Sequence, residues 1–259
     1  MSDQDVEAAL LAAIYSDPDA DEPRLVYMDW LIERGDPRGE FIALQMARHR
    51  SESGELRRKE ARREAQLQEE HLDRWLGEVA PYVSRRYPGW PRFSRGFLDA
   101  VAIACPRPLA PALAEHPMFS TVTELSGECR AIIRPALRML RRVLPVNANG
   151  GRPTVPMIPE WAELFIAHES IQEIRFHHSV LLRRDGQCVL RVNANYPFRP
   201  DNQDWLAVLA RLERPGWTLE LVSRTFDVQY RDQHRAVAAQ FSERLPGFHH
   251  VFLIDEPDI

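Results

Sequence analysis

Two adjacent histidine pairs, His177-His178 and His249-His250, are the residues of this chain best suited to chemistry. With Asp255, Glu256 and Asp258 downstream, they supply the donor types of a histidine–carboxylate metal site and hence of a metal-dependent hydrolase. Both pairs fall near expected strand ends. Successive strand side chains point to opposite faces, so each pair offers one imidazole to a given site. Histidines at strand edges or in loops are the simpler expectation. Cys105, with His116 nearby, has the type of a thiol nucleophile, but nothing places an orienting third group, and a small buried residue ending a strand is expected instead. Phosphate-loop, dinucleotide, zinc-protease and serine-elbow signatures are absent. Lys59 is the sole lysine, which excludes Schiff-base and Walker-lysine chemistry. No catalytic residue, metal ligand or cofactor is assigned on these grounds.

The 259 residues carry 33 basic and 38 acidic side chains, a net charge of −5, and all but one of the basic residues are arginine. Arginine grips phosphate in a bidentate fork, so its excess is one mark of a nucleic-acid binder. The negative balance opposes that reading, and arginine over lysine also follows from a GC-rich genome. The three cysteines, Cys105, Cys129 and Cys188, are widely spaced, which excludes a disulfide scaffold, argues against structural zinc and fits a reducing cytoplasm. No apolar run approaches the roughly 20 residues of a membrane helix. The acidic opening from Met1 to Glu7 is the reverse of a secretory leader.

Charge divides the chain. Residues 1–76 hold 11 basic and 18 acidic side chains, and residues 77–259 hold 22 and 20. In the acidic part, Ser2 is placed to cap a helix carrying Val6, Leu10 and Ile14. A second helix is expected over 24–34, with Gly35 just beyond its end. Asp36 and Pro37 start a third. Glu55 to Leu76 reads as a longer charged helix. Its basic run (Arg57, Arg58, Lys59, Arg62, Arg63) is a phosphate-patch candidate, but Glu60, Glu64, Glu69 and Glu70 follow closely and favour a solvated helix.

From Pro81 the aromatics Tyr82, Tyr87, Trp90 and Phe93 sit among prolines, as at a seam between helices and a sheet, and Gly96 to Ile103 reads as a strand. Val122 to Leu125 is a short strand, and Pro135 to Leu144 a helix bearing Arg134, Arg138, Arg141 and Arg142 on overlapping faces. A loop over 145–159 leads to a helix at 161–168 and a strand at 171–176. Val180 to Val192 is a hairpin turning on Asp185-Gly186. Helix 203–213, strand 217–223, helix 232–244 and strand 249–254 complete an α+β fold: a helical module followed by a mixed region with a β-hairpin and βαβ-like elements. The expected domains are 1–80 (helical module), 81–145 (aromatic seam and first strand–helix unit) and 160–259 (α+β domain).

The segment from Pro23 to Gln45, with Asp29-Trp30-Leu31-Ile32-Glu33-Arg34-Gly35-Asp36-Pro37-Arg38-Gly39-Glu40-Phe41 at its centre, closely resembles the bacterial repeat-companion domain. That paralogous family is expanded in planctomycetes and myxobacteria and often stands beside leucine-rich repeats. The resemblance covers residues 3–50 most fully, extends to about 100, and includes Arg95-Gly96-Phe97 as a further landmark. It implies an accessory or interaction module and no activity. Trp30 and Phe41 are expected as core anchors between the second and third helices, Gly35 as a left-handed turn, and Gly39 as a point of close helix approach. Asp29, Arg38 and Glu40 are read as a polar network fixing the interhelical angle, or as a recognition surface. Two segments are similar to a repeat's strand, 122–126 and 171–176. They lie 49 residues apart, beyond the 20–29-residue period, which argues against a solenoid of several full repeats.

The leading expectation is a non-enzymatic cytoplasmic interaction protein with a protein partner. The competing class is a metal-dependent hydrolase using His177, His178, His249, His250 and Asp255. Nucleic-acid binding through Arg134, Arg138, Arg141 and Arg142 is third and is disfavoured by the charge. The sequence specifies neither partner nor oligomeric state.

Overall fold

A computed structural model describes residues 2–51, 58–85, 90–104, 114–127, 129–146, 158–176, 179–193, 203–223 and 228–254, which form two compact units, Met1–Leu140 and Arg141–Ile259. The fold is α+β. The unit boundary falls inside the 81–145 stretch, most of which belongs with the helices of the first unit.

The first unit opens with α1 (Asp3–Ser16), α2 (Glu22–Glu33), α3 (Pro37–Arg50) and α4 (Arg58–Leu76). Local chemistry sets their ends as the sequence predicts. Ser2 Oγ accepts from the Asp5 amide at 3.2 Å while the Asp5 carboxylate accepts from the Ser2 amide at 2.8 Å, a reciprocal cap. Gly35 takes φ +67° beyond α2, and Asp36 accepts from the Arg38 amide at 2.9 Å to start α3. After a 3-10 segment (Gly77–Tyr82) come β1 (Arg92–Ser94), β2 (Phe97–Ile103), a second 3-10 segment (Pro117–Thr121) and β3 (Glu124–Gly127). Strand β1 pairs antiparallel with β2, and β2 pairs parallel with β3.

Two aromatic groups join these helices to the strands. Phe97 of β2 enters the core of Ile14, Tyr27, Leu31, Ile42 and Met46, with Tyr15 edge-on to its ring at 6.1 Å. Phe93 of β1 meets Phe41 at 5.6 Å, and Phe41 meets Trp75 of α4 at 4.6 Å. The expected seam is therefore present in Phe93; Tyr87 lies outside the described residues.

The second unit contains β4 (Arg142–Pro145), α5 (Ile158–Ala167), β5 (Glu173–Arg175), β6 (Ser179–Arg184), β7 (Gln187–Asn193), α6 (Gln203–Leu212), β8 (Thr218–Ser223), α7 (Val228–Arg244) and β9 (His249–Ile254). Its strands are ordered β4 to β9, with β5–β6–β7 antiparallel and β7–β8–β9 parallel through the crossover helices α6 and α7. Asp185 (φ +52°) and Gly186 (φ +77°) make the two-residue hairpin turn between β6 and β7. Val143, Ile174, Leu181, Leu190, Val192 and Leu219 all point to one face and are fully buried. Trp161 and Phe165 of α5, Leu209 of α6, and Val237 and Phe241 of α7 are buried too, and α7 packs on β8 and β9.

One expectation is corrected. No helix spans 135–144. Residues 129–140 form successive tight turns, with Ile132 N–H donating to Cys129 O at 3.0 Å and Leu137 N–H to Arg134 O at 2.9 Å. Buried Ile132, Leu137 and Leu140 imitate a helical stripe, but the chain then extends at Arg142 to pair with β5, and that pairing overrides the local pattern. The two repeat-like segments keep their separation, and each has a parallel neighbour. Segment 122–126 has its parallel partner in β2, where Leu125 opposes Val101, 24 residues earlier and within a leucine-rich repeat period. Segment 171–176 finds its own in β4, where Ile174 opposes Val143, 31 residues earlier. The 49-residue interval thus spans one intervening strand, β4.

Candidate functional site

The motif from Pro23 to Phe41 surrounds a loop that two guanidiniums hold in place. Arg24, buried on α2, donates to Pro18 O at 2.7 Å and lies 5.4 Å from the centre of the Phe97 ring. Arg95, at φ +53° in the β1–β2 turn, donates to Asp19 O at 2.8 Å, Pro18 O at 3.1 Å and Asp21 Oδ1 at 3.0 Å. The acidic loop 17–21 is the counterweight that lets two cations approach each other. Gly96 completes the turn: its amide donates to Gln45 Oε1 at 2.7 Å, and Gln45 Nε2 donates to Glu64 Oε1 at 2.9 Å and Phe93 O at 3.2 Å. Glu64 also pairs with Arg48, so a buried polar cluster ties α3, α4 and the β-turn together.

The candidate residues do not gather into one site. Trp30 is only half-buried, stacked on Tyr27 at 6.0 Å with the Arg34 guanidinium 4.0 Å above its ring. Phe41 is fully buried, with Trp75 and Phe93 against its ring. The Asp29–Arg38–Glu40 network does not form. Asp29 faces solvent on α2, Arg38 lies across Phe97 (5.2 Å) and Tyr27 (5.7 Å), and Glu40 takes a bidentate pair with Arg63 at 2.9 and 2.7 Å. Adjacency in sequence put these three on different sides of a tight helical corner. Gly39 does mark the predicted close approach, since a Cβ there would stand 2.8 Å from Ile32 Cγ1.

Arg134 donates to Ala114 O at 3.0 Å and Glu115 O at 2.8 Å, and Arg138 donates to Ser16 O at 3.1 Å. Both thus bind backbone carbonyls, and the helix meant to present them with Arg141 and Arg142 is absent. His177, His178, Asp255 and Cys105 lie outside the described residues. His249 and His250 point to opposite faces of β9, as alternation predicts; His249 is exposed, and His250 donates from Nε2 to Leu245 O at 2.7 Å. Among the described residues no cluster of three or more histidine, cysteine or carboxylate side chains is placed to hold a metal. Complete burial pushes the Cys129 thiol up to about 12, which keeps it protonated and inert near neutral pH.

Helix α2 leaves one stripe outward. Glu22, Val26, Asp29, Ile32 and Glu33 recur at three- and four-residue steps and are exposed, Val26 by 51% and Ile32 by 50%. Sequence inspection could have found this stripe by removing from α2 the residues that face the core: Arg24, Tyr27 and Leu31.

The face of the second unit's sheet opposite its core carries a cluster of arginines beside buried Val189, Thr218 and Glu220. Its register rows read Arg142, Glu173, Leu182, Val189, Thr218, His249 and then Arg175, Val180, Arg191, Glu220, Val251. Glu173 is shared by Arg175 (2.6 Å) and Arg142 (3.8 Å), and buried Glu220 by Arg184 and Arg191 (both 2.7 Å). No motif flags these arginines. Only the registers of four strands bring them together.

Comparison with family models, with curated proteins and with solved structures finds no match.

Proposed function

We propose that this chain is a non-enzymatic interaction protein, a bacterial cytoplasmic accessory module of repeat-companion type, which binds a protein partner through the outer face of α2. The observation that carries this reading is the stripe of Val26 and Ile32 set among Glu22, Asp29 and Glu33 on a helix whose other side is fixed. An isolated exposed apolar side chain is ordinary, but here two of them flank Asp29 on the outward face of one helix, apolar contacts on either side of a carboxylate. The motif residues support the reading from the other side. Arg24, Gly39, Phe41 and Arg95-Gly96-Phe97 are used to hold the module rigid, so the resemblance is to a scaffold and the partner-facing residues lie between its fixed points.

A photo-crosslinking residue replacing Asp29 in cells tests this. It should capture a defined protein, whereas the same residue replacing Gln66 on α4 should not. Equal capture from both positions, or none from position 29, would overturn the proposal.

A further inference from the structure

We infer that two copies of this chain associate through strand β9, which pairs antiparallel with β9 of the second copy about a two-fold axis normal to the sheet. This surface is independent of the α2 face proposed above. Among the described residues β9 is the last strand of its sheet and pairs with β8 alone. It is six residues long and keeps an unbroken register. Its residues are His249-His250-Val251-Phe252-Leu253-Ile254, with no proline, glycine, lysine or acidic side chain to guard the edge. The first unit's outer strand, β1, is guarded in each of those ordinary ways. It is three residues long, its register shifts between Arg92 and Phe93, and it carries the charge of Arg92.

The backbone of β9 shows which groups the edge leaves open. His249 N–H donates to Trp217 O at 2.8 Å, on the β8 side. Strand alternation turns the N–H and C=O of Val251 and Leu253 the same way, and those of His250, Phe252 and Ile254 away from β8. Among the described residues no hydrogen bond takes up these outward groups. Burial marks the same side as open. Every residue of β8 is buried, whereas Val251 and Phe252 are only half-buried and Leu253 is 36% exposed. A second copy is the occupant that the strand itself fits. The outward residues are symmetric about Phe252, so a two-fold there lets Phe252 exchange N–H···O=C bonds with Phe252 of the second copy, and His250 with Ile254. No outward group of the strand is left over. Val251 then stands opposite Leu253 at the closely spaced, non-hydrogen-bonded positions, and the exposed leucine gains an apolar neighbour on either side of the axis. A strand of another protein would meet the backbone groups too, but the apolar match on both flanks of Phe252 is one the chain supplies to itself. Such pairing consumes the same edge in both copies and closes at two, which removes a template for further strands.

Sedimentation of the purified full chain across concentration tests the association, and amide hydrogen exchange read by NMR locates it. The chain should form dimers that high salt does not dissociate, because backbone bonds and apolar contacts hold them. The amides of Val251 and Leu253 should be protected at every concentration, and those of His250, Phe252 and Ile254 only as dimers form. Phe252→Pro removes the N–H at the two-fold without touching the β8 ladder, as an outward position on an edge strand allows. It should weaken association about tenfold or more. If that variant melts well below wild type, Leu253→Lys serves in its place, setting a charge against Val251 of the second copy. Val26→Asp on α2 should dimerise as wild type does. A chain that stays monomeric would overturn the inference, as would a dimer whose Phe252 and Ile254 amides exchange as fast as in the monomer. Either β9 variant associating as wild type does, or Val26→Asp abolishing the dimer, would overturn it too. If the chain is monomeric while position 29 still crosslinks a different protein, self-pairing fails and the α2 reading stands.

Discussion

Gly96 meets two demands at once. Its φ of +83° belongs to the left-handed region, and a Cβ built there would lie 2.3 Å from Ile42 Cγ1, inside the core that Phe97 completes. Gly35 meets only the first, with φ +67° and open space around it. Gly96→Ala should therefore cost about 3 kcal/mol, the left-handed penalty plus overpacking, and Gly35→Ala only about 1 kcal/mol. Urea unfolding of the two variants measures the difference; equal costs would mean that the β1–β2 turn is not seated on α3. Gln45→Ala tests the same docking by chemistry. It leaves the Gly96 amide without its acceptor and takes from Glu64 the Gln45 amide, for a loss of about 2 kcal/mol or more in the same assay. Both glycines stood in the sequence as landmarks. Their different weights did not, because only the folded chain places Ile42 beneath one of them.

At the level of elements, the most legible features were those written within a few residues. Ser2 with Asp5, Asp36-Pro37 and Asp185-Gly186 each settle their own hydrogen bonds or backbone angles locally. Strand β4 was not legible, since Arg142–Pro145 acquires its extended form from β5, 31 residues away in register. The arginine face was hidden for the same reason. The join between β8 and α7 offers a pH test. His234 Nδ1 lies 2.7 Å from Ser223 Oγ, and burial lowers the imidazole below its ordinary 6.5. A depressed pKa means that the folded form resists protonation, so this stabilising contribution is full above pH 6.5 and is lost as pH falls below it. His116 is lowered by burial as well and adds a loss of the same sign. Thermal melts of wild type and His234→Gln should converge as the solution is acidified below pH 6.5. A constant gap between the curves would show that His234 does not titrate differently on folding.

Taken whole, the molecule separates residues that hold it together from residues that face outward. The arginine excess first suggests nucleic acid, yet many of these side chains end on the chain's own carbonyls and carboxylates. Arg24 and Arg95 bind loop 17–21, Arg63 binds Glu40, Arg74 binds Asp36, and Arg134 binds Ala114 and Glu115. The conspicuous motif is likewise taken up by folding, and the outward face of α2 lies between its fixed residues. Replacing Val26 by aspartate, then measuring both melting temperature and capture of the crosslinked partner, separates these roles directly. Exposed positions change stability by only about 0.5 kcal/mol, so melting should be nearly unchanged while capture is lost. A variant that melts like a core mutant, or that captures its partner as wild type does, would show that the α2 face is not the binding surface.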